Sequence, residues 1–139
     1  METPGPGPQP RERARELLRE LRSRFPVFRD QRPLALGIDR QLIERIPDVD
    51  RKLLRIALGM HTHSLAYLKA LAKAAERVDL DGGPAGEVAA SHQSHAAQLL
   101  GDLLRKQAEQ RKAQRDSEAL ERRRAEKLGQ LVAKFGRQR

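Results

Sequence analysis

Apolar residues recur along this chain at two periods, and the change of period divides it. From Arg11 the positions Ala14, Leu17, Leu18, Leu21 and Phe25 fall at helical spacing with Arg and Glu between them. That pattern predicts an amphipathic helix from Arg11 to about Arg24, which Pro26 stops. Residues 27–38 mix Pro33 and Gly37 with Leu34, Leu36 and Ile38 and read as an extended, partly buried connection. Asp39 is a candidate cap for a short helix holding Leu42, Ile43 and Ile46, closed by Pro47. Asp48 or Asp50 can cap the next, whose apolar positions run from Leu53 to Met60. A Thr62-His63-Ser64 break precedes a third short helix with Leu65, Leu68 and Leu71. Together these stripes can form a small core.

The period then switches. Arg77-Val78-Asp79-Leu80 alternates like a strand, Asp81-Gly82-Gly83-Pro84 signals a turn, and Ala85-Gly86-Glu87-Val88 can return as a second strand. A two-stranded ribbon needs helices beneath it to be stable. After Ser91 a long helical pattern carries Ala96, Leu99, Leu100, Leu103, Leu104 and Ala108, and its stripe fades there. The expected fold is therefore mostly α with a small β-hairpin, an α+β domain ending in a long C-terminal helix. Residues 1–10, with four prolines and two glycines, read as a disordered leader. Residues 109–139 read as a basic helical or disordered extension, with Leu128, Leu131, Val132 and Phe135 as a weak terminal patch.

Charge sharpens this division. The net charge of 139 residues is +9, and +6 of it lies in residues 111–139, whereas residues 25–110 are nearly balanced at +1. Such an excess points to phosphate backbones, acidic membranes or acidic proteins as partners. Any specific surface in the middle must come from spatial sorting of charge. There is no cysteine, so disulfides, thiol catalysis and cysteine-type zinc sites are excluded. No run of about 18 apolar residues is present, and the start, Met1 to Pro6, lacks the features of a signal peptide. The expectation is a cytoplasmic protein with no membrane partner.

Candidate chemistry is sparse. His92 and His95 stand at i, i+3 and His61 and His63 two apart, yet no third ligand follows at fixed spacing. Packing or capping histidines are the expectation, with no metal and no cofactor. No phosphate loop, nucleophile elbow or acid pair occurs, so no catalytic residue is assigned and the chain is not read as an enzyme. The cations say more. Arg51, Lys52 and Arg55 fall in the first turns of a predicted helix, where free N–H groups favour an anion. Tyr67, one of four aromatics, is followed by Lys69 and Lys73, and Arg77 opens the first strand. A ring among cations suits single-stranded RNA, with a base on the ring and phosphates on the cations. The alternative is a half-buried core tyrosine beside a solvated basic face.

The order of these pieces resembles the ProQ/FinO domain, a family of bacterial RNA-binding proteins. Phe25-Pro26-Val27-Phe28, Arg32 to Ile38, Leu54 to Leu58, Thr62 to Leu68 and above all Arg77-Val78-Asp79-Leu80-Asp81-Gly82-Gly83-Pro84-Ala85-Gly86-Glu87-Val88 carry the resemblance. His92 and His95-Ala96 fall where that family tends to have a histidine-rich helix start. The resemblance covers residues 11–108. It implies an RNA chaperone that recognises intrinsic-terminator-like hairpins with single-stranded 3′ tails, including small RNAs and mRNA 3′ ends, and promotes RNA pairing in post-transcriptional regulation. It also implies RNA contacts at Arg32, Arg51, Arg55, Tyr67 and Arg77, which joins them to Lys52 and Lys69 as candidate RNA-binding residues. A monomer is expected. Some positions depart: Ala35, Gly59 and Ala66 stand where cations are common, His61 where a Tyr is common, and Asp50 where a hydroxyl cap is usual. A protein-interaction or scaffold module using the C-terminal arm is the competing reading, although the heptad pattern there is poor.

Overall fold

The computed structural model describes residues 9–136. Helix α1 spans Pro10–Arg24, α2 Pro26–Arg29, α3 Ile38–Arg45, α4 Arg51–Thr62, α5 Leu65–Lys73 and α6 Ala90–Gly136, with strands β1 Glu76–Val78 and β2 Pro84–Glu87 between α5 and α6. The expected leader lies outside the described residues up to Pro8, and Pro10 is already the first residue of α1. A proline suits that position because its missing N–H is one of the helix-start donors that has no partner anyway.

α1 buries Ala14, Leu18 and Leu21 and lies mainly against α4, which contributes Leu54, Ala57 and His61. Phe25, Val27, Phe28, Leu34, Ile38 and Leu42 complete the core with Tyr67, Val78 and Leu80. Phe28, Leu21, Leu42, Leu54 and His61 are its largest fully buried side chains. One of them is polar.

Two local expectations change. Residues 26–29 are a helical turn, not extended chain, because Pro26 takes the first position of α2 and its fixed φ starts a helix there. Asp39 does not cap α3. Gly37 precedes that helix in the left-handed region, φ 77°, with no side-chain cap, and Asp39 lies inside the first turn. The cap expected at Asp50 is formed: its carboxylate accepts from the N–H groups of Lys52 at 2.9 Å and Leu53 at 3.2 Å. Ser64 caps α5 through Tyr67 N–H.

The hairpin is antiparallel, pairing Glu76 with Glu87 and Val78 with Pro84 across an irregularity. Its strands are shifted slightly N-terminal of the alternation that announced them. Asp79 closes the turn by accepting at Oδ1 from Asp81 N–H at 2.9 Å and Gly83 N–H at 2.8 Å. Gly82 takes φ 85°, which a side chain would strain. The ribbon is not left to two strands. Pro33 to Ala35 runs alongside β1, with Val78 N–H donating to Pro33 O and Ala35 N–H to Val78 O, both 2.8 Å.

The chain divides between Leu100 and Gly101 into two compact units. In the second, the helix is exposed at almost every position. Leu128, Leu131, Val132 and Phe135 are all among its exposed large apolar side chains. Arg105 pairs with Asp102 at 2.7 Å.

Candidate nucleic-acid interface

The basic start of α4 forms one wall of a groove. Arg51 and Arg55 are one turn apart and exposed, and they line a depression of about 500 Å³ with Arg40, Ile43, Leu54 and Leu58. Arg40, from α3, was not anticipated. The signal was a cation in the first turns of α3 with no predicted role, and only the packing of α3 on α4 brings it to Arg51 and Arg55. The four N-terminal amides of α4 add partial positive charge. Asp50 offsets part of it by placing a carboxylate on two of them. Lys52 and Lys69 are exposed on α4 and α5.

Arg32 is exposed and lies by the hairpin turn, in a depression of about 360 Å³ with Arg24, Arg45, Asp30 and Asp81. Arg45 is already engaged there, 2.6 Å from Asp81. Surface pairs of this kind contribute little to stability, so Arg45 can exchange partners cheaply.

Tyr67 and Arg77 are in a different situation. Tyr67 is 3 % exposed and Arg77 6 %. They converge on a single peptide: Leu34 N–H donates to Tyr67 Oη at 3.1 Å, and Arg77 Nη1 donates to the Leu34 carbonyl at 2.8 Å. Both side chains therefore hold the Pro33–Ala35 segment against β1. The expectation that a base stacks on Tyr67 does not fit a ring enclosed by His61, whose centroid is 5.2 Å away, and by the core. Burial leaves the ring no free face.

Arg77 has a further partner that the sequence did not suggest. Its Nη2 donates to His92 Nδ1 at 3.0 Å. A guanidinium only donates, so this nitrogen accepts and the His92 proton sits on Nε2. His92 thus helps fix Arg77, with the hairpin and α6 joined through one contact.

His61 is fully buried between the rings of Phe28, at 4.9 Å, and Tyr67. Arg22 Nη2 lies 3.4 Å from its Nδ1, while Nε2 has no partner. Burial first, and the nearby Arg22 charge second, hold its pKa down from 6.5 to about 4. This histidine is a neutral core residue. Of the other positions that depart from the resemblance, Ala35 is buried in the core, Gly59 is half-buried and Ala66 is exposed. Among the described residues no cluster of three or more His, Cys, Asp or Glu could hold a metal ion, and no helix is long and apolar enough to cross a membrane.

A profile of the ProQ/FINO family matches residues 11–115. The chain belongs to the ProQ/FINO family. Among its relatives are the RNA chaperone ProQ of Shewanella oneidensis, 40 % identical over 88 residues, covering 61 % of this chain and 41 % of that one. The RNA chaperone ProQ of Aliivibrio fischeri is 36 % identical over 106 residues, covering 71 % and 51 %. The chain thus spans about half the length of these relatives or less. The crystal structure of a FinO-like RNA chaperone from Neisseria meningitidis MC58 superposes with a TM-score of 0.58 at 35 % identity, covering 61 % of this chain and 90 % of that one. A mostly helical ProQ/FINO domain with a small hairpin and a long C-terminal helix is therefore the fold.

Proposed function

We propose that this protein is a cytoplasmic RNA chaperone without enzymatic activity. It acts as a monomer that takes intrinsic-terminator-like hairpins by their duplex base and single-stranded 3′ tail, stabilises small RNAs and promotes their pairing with mRNA 3′ ends. Family membership and relatives named as RNA chaperones support the class of function. The observation that carries the reading of the site is the groove in which Arg40, Arg51 and Arg55 gather from two helices. Three guanidiniums beside the capped start of α4, against one carboxylate, Asp39, in the same lining, leave the groove net positive and suit phosphates.

In this scheme Arg51, Lys52 and Arg55 meet duplex phosphates, and Arg32 and Lys69 extend the basic surface. Tyr67 and Arg77 act at one remove by fixing the Leu34 peptide, with Arg77 also reaching the surface beside His92. The tail of +6 adds salt-sensitive attraction that is blind to sequence. Fluorescence anisotropy of a labelled terminator hairpin, competed with unlabelled hairpin or DNA duplex, tests the proposal. The hairpin should compete well and the duplex poorly. Arg51→Ala/Arg55→Ala should weaken hairpin binding by about tenfold or more, at roughly 1 kcal/mol per lost charge-assisted contact. Equal competition by DNA duplex would overturn the assignment to structured RNA.

The exposed patch of Leu128, Leu131, Val132 and Phe135 favours a second reading, a scaffold module that docks through the C-terminal helix. Sedimentation showing an obligate dimer that this patch holds together would support it over the monomeric chaperone.

A further inference from the structure

A row of arginines runs along α1. Arg11, Arg15 and Arg19 stand one turn apart and are exposed, and Arg22 continues the row as a half-buried residue. Spacings of four, four and three residues put all of them on one face, beside the buried stripe of Ala14, Leu18 and Leu21. At ~1.5 Å per residue the row is about 16 Å long, with a guanidinium every ~5–6 Å. Its charge is left uncompensated. Glu12, Glu16 and Glu20 run alongside, yet among the described residues the one ion pair within α1 joins Glu20 to Arg24, at 3.9 Å, and the pairs elsewhere use none of the four arginines. Like charges at i, i+4 destabilise a helix, so Arg11, Arg15 and Arg19 stand together at a cost that a bound anion would remove. Arg22 is a second sign of a missing anion. Its Nη2 lies 3.4 Å from His61 Nδ1 and its Nε is buried without a partner, so a partly desolvated guanidinium ends the row with no carboxylate against it.

We infer that this row is a second RNA surface, resting on the RNA-binding reading above, which holds the sugar–phosphate backbone of a partner strand while the α3–α4 groove holds the hairpin. Every cation of α1 is an arginine, six of them with no lysine, and the planar guanidinium matches phosphate bidentately where an ammonium does not. The helix offers no ring on which a base could stack, because Phe25 at its end is buried. Contacts limited to phosphate carry no sequence information and leave the bases free. A strand presented for pairing needs that freedom, since its complement and not the protein must read it. None of the four arginines lines the groove of Arg40, Arg51 and Arg55, so two RNAs can be held at once. A lipid surface is a poorer fit. It needs apolar side chains exposed beside the cations, whereas Leu17, Leu18 and Leu21 pack into or against the core.

The full chain, saturated with unlabelled terminator hairpin, is titrated against a short labelled oligoadenosine by fluorescence anisotropy over a range of salt. Oligoadenosine should bind beside the hairpin. Arg11→Ala/Arg15→Ala/Arg19→Ala keeps good helix formers in α1. It should weaken oligoadenosine about tenfold at low salt and lower the log–log salt slope by about 2, at ~0.7 per phosphate on a single strand. Hairpin affinity should change by less than about threefold, the distant loss of charge being screened. The triple Arg11→Lys/Arg15→Lys/Arg19→Lys keeps the charge and should recover the slope. Annealing of two complementary RNAs, followed by fluorescence transfer, should slow in the alanine triple and not in the lysine one. Displacement of oligoadenosine by the hairpin would overturn the second surface, as would wild-type oligoadenosine binding or annealing by the alanine triple. A lysine triple as weak as the alanine one would show that structure and not charge was lost, and would overturn it too. Loss of binding to phosphatidylglycerol vesicles in the alanine triple, with oligoadenosine unaffected, would assign the row to a lipid surface instead. Each of these results leaves hairpin recognition intact. No binding of either RNA by the wild type would overturn the RNA reading and the second surface together.

Discussion

Acidification should destabilise this domain through one residue, His61. Its ring is fully buried between Phe28 and Tyr67, with its Nε2 unpartnered and Arg22 beside Nδ1, so the protonated form is disfavoured in the folded state. The pKa is about 4 when folded against 6.5 when unfolded. Between those values the unfolded chain binds a proton that the folded chain refuses, so stability falls as pH drops from 6.5 toward 4 and is fully present above 6.5. At about 1.4 kcal/mol per pKa unit the whole effect is about 3 kcal/mol, and about 2 kcal/mol of it is gone by roughly pH 5. That is a large share of the ~5–15 kcal/mol that holds a typical domain. Urea unfolding of wild type and His61→Leu, followed by circular dichroism at neutral and mildly acidic pH, isolates the effect. All carboxylate contributions are common to both proteins and cancel in the difference. The wild type should lose about 2–3 kcal/mol more than the variant on acidification. Parallel losses in the two proteins would show that His61 protonates freely in the fold and refute the reasoning.

Tyr67→Phe leaves Leu34 N–H without its acceptor. It should cost about 1–3 kcal/mol, read by calorimetry as a melting temperature lower by several degrees; an unchanged melting temperature would show that the contact does not hold the segment. Asp50→Ser keeps a good helix cap, so stability should move by less than about 0.5 kcal/mol, while hairpin binding at low salt should tighten about three- to fivefold because one carboxylate leaves the phosphate path. Weaker binding would mean that Asp50 contacts RNA favourably. Deleting residues 111–139 should flatten the salt dependence of hairpin affinity by a log–log slope of about 2, at ~0.9 per phosphate on a duplex. The ratio of tailed to tail-less affinity should change by less than about twofold, and loss of that ratio would place end recognition in the C-terminal segment.

The helices were legible because their apolar residues keep a 3.6-residue period, because Asp50 sits where a cap is needed and because Thr62-His63-Ser64 breaks the pattern before α5, although the cap that Ser64 forms there was not read. The turn was legible because Asp79 and the two glycines meet the local demands of a tight reversal. What could not be read was tertiary. Leu34, Tyr67 and Arg77 are 33 and 43 residues apart, and no local pattern announces that a tyrosine hydroxyl and a guanidinium will both serve one peptide. For the same reason a lone tyrosine among lysines suggested a stacking platform, whereas its ring lies inside. Arg40 joined Arg51 and Arg55 only through helix packing, and His92 found Arg77 only once the hairpin and α6 were in place. Gly37 misled in a simpler way: Asp39 is the better cap by residue type, but the left-handed glycine sets the start of α3 two residues earlier.

The central claim is that this basic surface reads structured RNA ends and not charge alone. It is tested most directly by the affinity of the full chain for a terminator hairpin with its 3′ uridine tail, measured side by side with the same hairpin lacking the tail at physiological salt. Tighter binding of the tailed RNA, by about tenfold or more as expected for one or two held bases, is the predicted result. Equal affinity for the two would contradict it.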